Sequence, residues 1–143
     1  MRIKCIHYGH DKFDINEFKP IENCNWIKPK GGLWASPIDS KYGWKDWCEE
    51  ENYGNLSYNF IFTFDGKVLI IDSLKDLKSK IPFISVESYK YLLYIDFEKL
   101  SKEYDAILLT EKGQKETRFT QPENLHGWDC ESICIFNPNA VII

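Results

Sequence analysis

Apolar residues in this chain fall into short runs, each closed within a few positions by a glycine, a proline or a capping residue. That interruption limits the fold more than any other feature. Ile3, Cys5 and His7 alternate with Lys4, Ile6 and Tyr8, which predicts a first strand ended by Gly9, with His7 on the face of Ile3 and Cys5. Residues 33–36 read as a second short strand closed by Pro37. A helix carrying Trp44, Trp47 and Cys48 follows, with Ser40 as its N-cap. Glu49, Glu50 and Glu51 oppose its dipole and predict a frayed end. Residues 58–64 are β-rich, Asp65-Gly66 predicts a hairpin turn, and 67–71 the return strand. Ser73 predicts a cap for a helix bearing Leu74, Leu77 and Ile81, stopped by Pro82, and Asp96 one for a helix bearing Phe97, Leu100 and Tyr104. Residues 83–95 suit strand or helix. Strands are predicted over 106–110 and 131–136, then a turn at 137–139 and an apolar tail. Residues 10–32 and 111–128 read as two long polar loops, the first with a helical turn at 15–18.

These alternating elements predict one α+β domain over residues 1–143, with no repeat and no internal boundary. Hydrophobic residues make up 43% and charged residues 28%, which argues against wholesale disorder. Five Trp, eight Tyr and nine Phe exceed what a minimal core needs, so some are expected in a pocket or groove. The net charge of −4 argues against a protein whose main task is wrapping nucleic acid. The lysines at 28 and 30, and at 75, 78 and 80, fit a solvated face. Five cysteines with no CxxC spacing read as free thiols. The first residues hold no signal-peptide apolar region, and no run is long enough to span a membrane, so a cytoplasmic protein with no membrane partner is expected.

GxGxxG, P-loop, HExxH and GxSxG signatures are all missing. Cys5, His7 and His10 lack a second ligand pair at zinc spacing, so no metal site is expected. A Cys–His nucleophile pair finds no support in the spacing either, since buried strand cysteines are usually inert. Asp129 and Glu131 are two apart at a strand entrance and would share a side, where one carboxylate can raise the pKa of the other. Alone, such a pair is more often a solvated strand end.

Three segments, in order, give that pair a context. Residues 6–9 (Ile-His-Tyr-Gly) place a His after an apolar residue and close to a small one. Residues 31–36 (Gly-Gly-Leu-Trp-Ala-Ser) form a Gly-rich entry to a strand of pattern aromatic, small, Ser. Residues 131–142 open on Glu, continue as a β run and end in Asn-Pro and apolar residues. Together they resemble the three motifs of the ADP-ribosyltransferase fold family, as used by small bacterial toxins, effectors and related enzymes. Residues 68–77 and 104–108 resemble its scaffold segments. Tyr8 stands where many members have Gly, and Trp34 where many have Tyr.

The resemblance implies two packed mixed or antiparallel β-sheets with flanking helices. It implies NAD as a substrate whose ADP-ribose passes to a macromolecular acceptor, a protein side chain such as arginine or a nucleobase. Glu131 would be the catalytic residue, holding the 2′-hydroxyl of the nicotinamide ribose. His7 would hold the adenosine-side ribose, and the backbone at Tyr8 and Gly9 would meet the nicotinamide amide. Trp34 would stack on its ring, and Ser36 would help position Glu131. Asp129 and Trp128 would face the acceptor, and Arg2, Arg118 and the lysines are candidates for the pyrophosphate. The alternative is a module of the same fold without catalysis, holding a protein or a nucleotide in an aromatic cleft. A third possibility is a structural protein with no pocket chemistry.

Overall fold

The computed structural model describes residues 1–25, 27–86 and 89–143. The first strand forms where alternation predicts it: β1 (Arg2–Tyr8) buries Cys5 and His7 on one side. The 10–32 region is more ordered than its polarity suggests. A 3-10 turn at Ile15–Glu17, capped by Asp14, is followed by a hairpin of β2 (Glu22–Asn25) and β3 (Lys28–Lys30). Next come β4 (Leu33–Pro37) and α1 (Trp44–Glu51). The N-cap of α1 is Gly43, not Ser40, because Gly43 N–H donates to the Asp46 carboxylate at 2.9 Å. The acidic end of α1 is closed rather than frayed: Asn52 adopts φ +51°, and its N–H reaches the Cys48 carbonyl.

Two capped helices appear as predicted. In α2 (Leu74–Lys80) Ser73 accepts from Asp76 N, and in α3 (Phe97–Glu103) Asp96 accepts from Lys99 N. Between them the ambiguous segment is a hairpin of β7 (Phe83–Val86) and β8 (Tyr89–Ile95), with residues 87 and 88 of that segment outside the described residues. The region 111–128 is not all loop. It opens with α4 (Glu111–Thr117), capped by Thr110, whose buried residues are Gly113, Gln114 and Thr117. A helix with no apolar face leaves no hydrophobic period to read.

The strands β5 (Asn59–Asp65), β6 (Val68–Ile71), β9 (Ala106–Leu109), β10 (Ser132–Ile135) and β11 (Val141–Ile142) complete the fold. The expected two sheets are instead one seven-stranded mixed sheet, in the order β11-β5-β1-β4-β10-β9-β6, with two separate hairpins. Asp65-Gly66 does not make a hairpin. β5 pairs with β1 and β11, while β6 crosses to the far edge and runs parallel to β9, Val68 opposite Ala106. Gly66 serves close approach instead, since a Cβ there would lie 2.5 Å from the Asp105 carboxylate. That carboxylate accepts from Lys67 N at 2.7 Å.

Alternation along the strands sorts the core into two layers. One face carries Leu69, Ile71, Ile107, Leu109 and Cys134, and packs on Leu77 of α2 and Phe97 and Leu100 of α3. The other carries Cys5, Ala35, Phe62, Phe64, Leu108, Ile133 and Ile135. No residue of an α-helix belongs to this second layer among the described residues. Ala140, where the chain returns to β5, packs into this layer. No helix among the described residues is long and apolar enough to cross a membrane.

Candidate active site around strand β4

The three motif segments lie on neighbouring strands, because β4 sits between β1 and β10. Its partners change along its length. Leu33, Trp34 and Ala35 pair with Ile135, Cys134 and Ile133 of β10. Ser36 and Pro37 pair with Ile6 and Cys5 of β1. The β1–β4 register stops there, so the His7–Ala35 and Tyr8–Trp34 pairs that would continue it are not made. On its other side β1 pairs with β5 out to Tyr8 and Asn59. Two gaps therefore flank β4, one towards β1 at Trp34 and one towards β10 beyond Ala35.

A side chain bridges each gap. At the first, His7 Nδ1 lies 2.6 Å from the Trp34 carbonyl oxygen, and its Nε2 lies 2.9 Å from His10 Nδ1. His7 is 8% exposed and packs against Phe60. Burial lowers its pKa from 6.5, against the opposing pull of the Trp34 carbonyl, with His10 adding to the depression. At the second gap, Ser36 Oγ donates to the Glu131 carbonyl at 2.8 Å and accepts from Trp44 N at 2.9 Å. Glu131 N–H donates to the Tyr42 carbonyl at 3.1 Å. Ser36, 2% exposed, thus ties the start of β10 to the start of α1 through the backbone.

The expected site residues fall into groups. Ser36 is bonded to Glu131, although through its main chain and not its carboxylate. Trp34 stands edge-on to Trp128 at 4.8 Å and to Trp44 at 6.3 Å. Trp128 is 1% exposed, and its indole N–H donates to the Ile27 carbonyl, so it is a core residue as the chain stands. Tyr8 and Gly9 border the first gap; Gly9 adopts φ +118° and donates its N–H to the Tyr58 carbonyl. Asp129 and Glu131 are both partly buried, and neither carboxylate is hydrogen-bonded among the described residues. The His7 and Trp34 rings lie on opposite faces of the sheet, because Trp34 packs with the helical layer and His7 with Phe60 of the other. None of His7, Trp34 and Glu131 lines either of the two cavities described below. Arg2 is tied to Asp65 at 3.1 Å, and Arg118 rests over Phe119.

Two residues were not picked out by sequence reasoning. Ser40 Oγ and Trp44 Nε1 are buried with no hydrogen-bond partner among the described residues. Both sit by Ser36: a Cβ on Gly43 would lie 3.0 Å from Ser36 Oγ and 3.2 Å from Ser40 Cβ. Buried polar atoms without partners mark where a ligand could complete the bonding. The Trp34-to-Trp44 spacing was the available signal, but helical periodicity explained Trp44 well enough to hide it. Of the cysteines, Cys5, Cys48, Cys130 and Cys134 are buried and Cys24 is exposed. Burial pushes Cys5 to about 12 and Cys130 to about 11, so neither supplies a thiolate nucleophile. Among the described residues no group of three or more His, Cys, Asp or Glu side chains is placed to hold a metal.

The larger cavity, about 700 Å³, opens beside the first gap and is lined by His10, Phe13, Gly32, Leu33 and Phe60, among others. A second, about 520 Å³, lies between Lys41 and α4. No family model, curated protein or solved structure matches the chain.

Proposed function

We propose that the chain transfers ADP-ribose from NAD to a macromolecular acceptor, a protein side chain such as arginine or a nucleobase. The missing His7–Ala35 and Tyr8–Trp34 pairs carry this reading. The strand edge there lacks its ladder, and the Trp34 carbonyl that takes the His7 proton keeps a second lone pair, so main-chain donor and acceptor groups lie side by side as a primary carboxamide such as that of nicotinamide requires. Trp34 and Trp44 supply aromatic surface next to it, and Ser40 Oγ a free hydroxyl. In the reaction the bond from ribose C1′ to the nicotinamide nitrogen breaks, and nicotinamide leaves with the bonding electrons. The acceptor nucleophile then bonds to C1′ and gives up its proton. Positive charge builds on the ribose in between, and a carboxylate close by, Glu131, stabilises it. Asp129 would face the acceptor. The reading takes its motif order from the sequence and its ligand-binding edge from the strand gap.

The second reading is a module that binds the nucleotide without cleaving it. It is favoured by two observations: His7 and Trp34 lie on opposite faces of the sheet, and no hydrogen bond orients the Glu131 carboxylate among the described residues. Nicotinamide release from NAD separates the two, measured with and without cell extract as a source of acceptor. The enzyme reading expects release, and a fall on the order of 10²–10³-fold in Glu131→Gln with the fold intact. Thermal stabilisation by NAD with no release in the native protein supports the binding module. No response to NAD of either kind rejects both.

A further inference from the structure

Residues 10–18 form a strap beside the first gap, fixed firmly at both ends and weakly between. At one end Gly9 holds its positive φ and donates its N–H to the Tyr58 carbonyl at 2.8 Å. At the other, Gly32 N–H donates to the Lys19 carbonyl at 2.9 Å, and a Cβ on Gly31 would overlap the Pro20 carbonyl oxygen. Between these anchors the 3-10 turn bonds only to itself. Asn16 N–H donates to Asp14 Oδ1, Glu17 N–H to the Asp14 carbonyl and Phe18 N–H to the Ile15 carbonyl. Among the described residues, one hydrogen bond ties the strap to the sheet, that of His10 with His7. No strap residue is buried, and only Phe13 and Phe18 are half-buried, with the Phe13 ring 6.3 Å from that of Phe60. A segment with so little apolar burial opens locally at small cost. The strap supplies one wall of the larger cavity, and Gly32, Leu33 and Phe60 of the sheet side supply the other.

The single tie depends on protons. A carbonyl only accepts, so His7 Nδ1, 2.6 Å from the Trp34 oxygen, carries a hydrogen. In the neutral ring His7 Nε2 then accepts, and the His10 nitrogen 2.9 Å away, Nδ1, donates to it. One proton added to the pair still leaves a single hydrogen between these two nitrogens, whichever ring holds the charge. A second proton puts a hydrogen on both, and the bond cannot form. Two cations then face each other with ring centroids 5.1 Å apart. The charged groups around the pair do not relieve this. Lys12, Asp14, Glu17 and Lys19 line the cavity from the strap side as two cations and two anions, Asp11 follows His10 in the chain, and β1, β4 and β5 present no charged side chain to the cavity. Burial lowers the His7 pKa from 6.5 against the pull of the Trp34 carbonyl, and His10 lowers it further, so the second proton arrives below that value.

We infer that residues 10–18 are a pH-operated lid: the His7–His10 bond latches it beside the strand gap, and double protonation of the pair releases it and uncovers the gap. The inference rests on the proposed function only for what the uncovered gap admits. It gives His10 a task that the motifs do not assign.

The test places 4-fluorophenylalanine at position 13 of the full chain and follows the fluorine resonance by NMR as pH is lowered, with no NAD present. Closed and open straps differ in whether that ring lies near Phe60. The open population is expected to rise roughly tenfold over about one pH unit below the ordinary histidine value, with the circular dichroism of the fold unchanged. His10→Leu should show the open resonance at every pH. His126→Gln removes the remaining histidine, which lies by Phe119, and should keep the native transition. A resonance that does not move, a transition that persists in His10→Leu, its loss in His126→Gln, or global unfolding over the same pH range overturns the inference. A flat resonance in a protein that releases nicotinamide rejects the lid alone. The expected transition in a protein that never releases nicotinamide rejects the enzyme reading alone.

Discussion

The two gaps beside β4 are closed by different chemistry. Towards β1, an imidazole replaces the ladder, and the ring that does so is linked to a second imidazole at the edge of a cavity. Towards β10, a hydroxyl replaces it, and that hydroxyl bonds only backbone groups. The first gap leaves strand edge and rings within reach of a ligand. The second fixes where Glu131 leaves the sheet and leaves its carboxylate free. One strand thus divides binding from positioning, and the change of partner between Ala35 and Ser36 is where the division falls.

The two gaps can be disturbed separately. The largest effect is expected at the wall of the first. Gly31→Ala forces a side chain into a left-handed φ and against the Pro20 and Lys19 carbonyls. A loss of ~3 kcal/mol is expected from strain and overpacking combined, read by chemical denaturation. A change below a few tenths of that would mean the 19–32 segment gives way easily and the cavity is not preformed. At the second gap, Ser36→Ala strands the Glu131 carbonyl and the Trp44 N–H without partners. The expected loss is ~2 kcal/mol, and it should lower NAD turnover more than NAD affinity. Equal loss of both would mean Ser36 acts on the two gaps alike.

The smallest effect is a pH dependence at the first gap. The pKa of His7 is lowered on folding, so its neutral form is the one the fold keeps. The stability it contributes is complete above the unfolded value of 6.5 and is lost as pH falls from there through the lower folded value. His7→Gln should remove that part of the slope of stability against pH over this window, while Ser36→Ala should not. An unchanged slope in His7→Gln would show that the imidazole is not held neutral.

Sequence reasoning reached the elements whose signals are local. Ser73 and Asp96 announced α2 and α3 by their capping side chains, and alternation put His7 beside Cys5. It failed where the cause is distant in the chain. Asp65-Gly66 has the chemistry of a hairpin turn, yet Gly66 is shaped by Asp105 across the sheet, and β6 leaves for the other edge. The polar helix α4 is held by Thr110 and packs through Gly113 against β6, which no periodicity records. At the site, the order of the motifs was legible because it follows the chain. The faces were not. Whether His7 and Trp34 point the same way depends on pairing between β1 and β4, and that pairing stops just short of them.

The place of β10 in the sheet also sets when the site can come into being. Tyr8, Trp34 and Ser36 are made before Ser132–Ile135, the strand that joins β4 to β9, and Glu131 follows Ser36 by 95 residues. Until it arrives, β4 lacks its neighbour on one side and Glu131 has nothing to hold it at Ser36. Pairing across so long a stretch of chain is also slow to form. An activity housed here cannot start until Ser132–Ile135 has been made and paired with both neighbours, a delay built in by strand order alone.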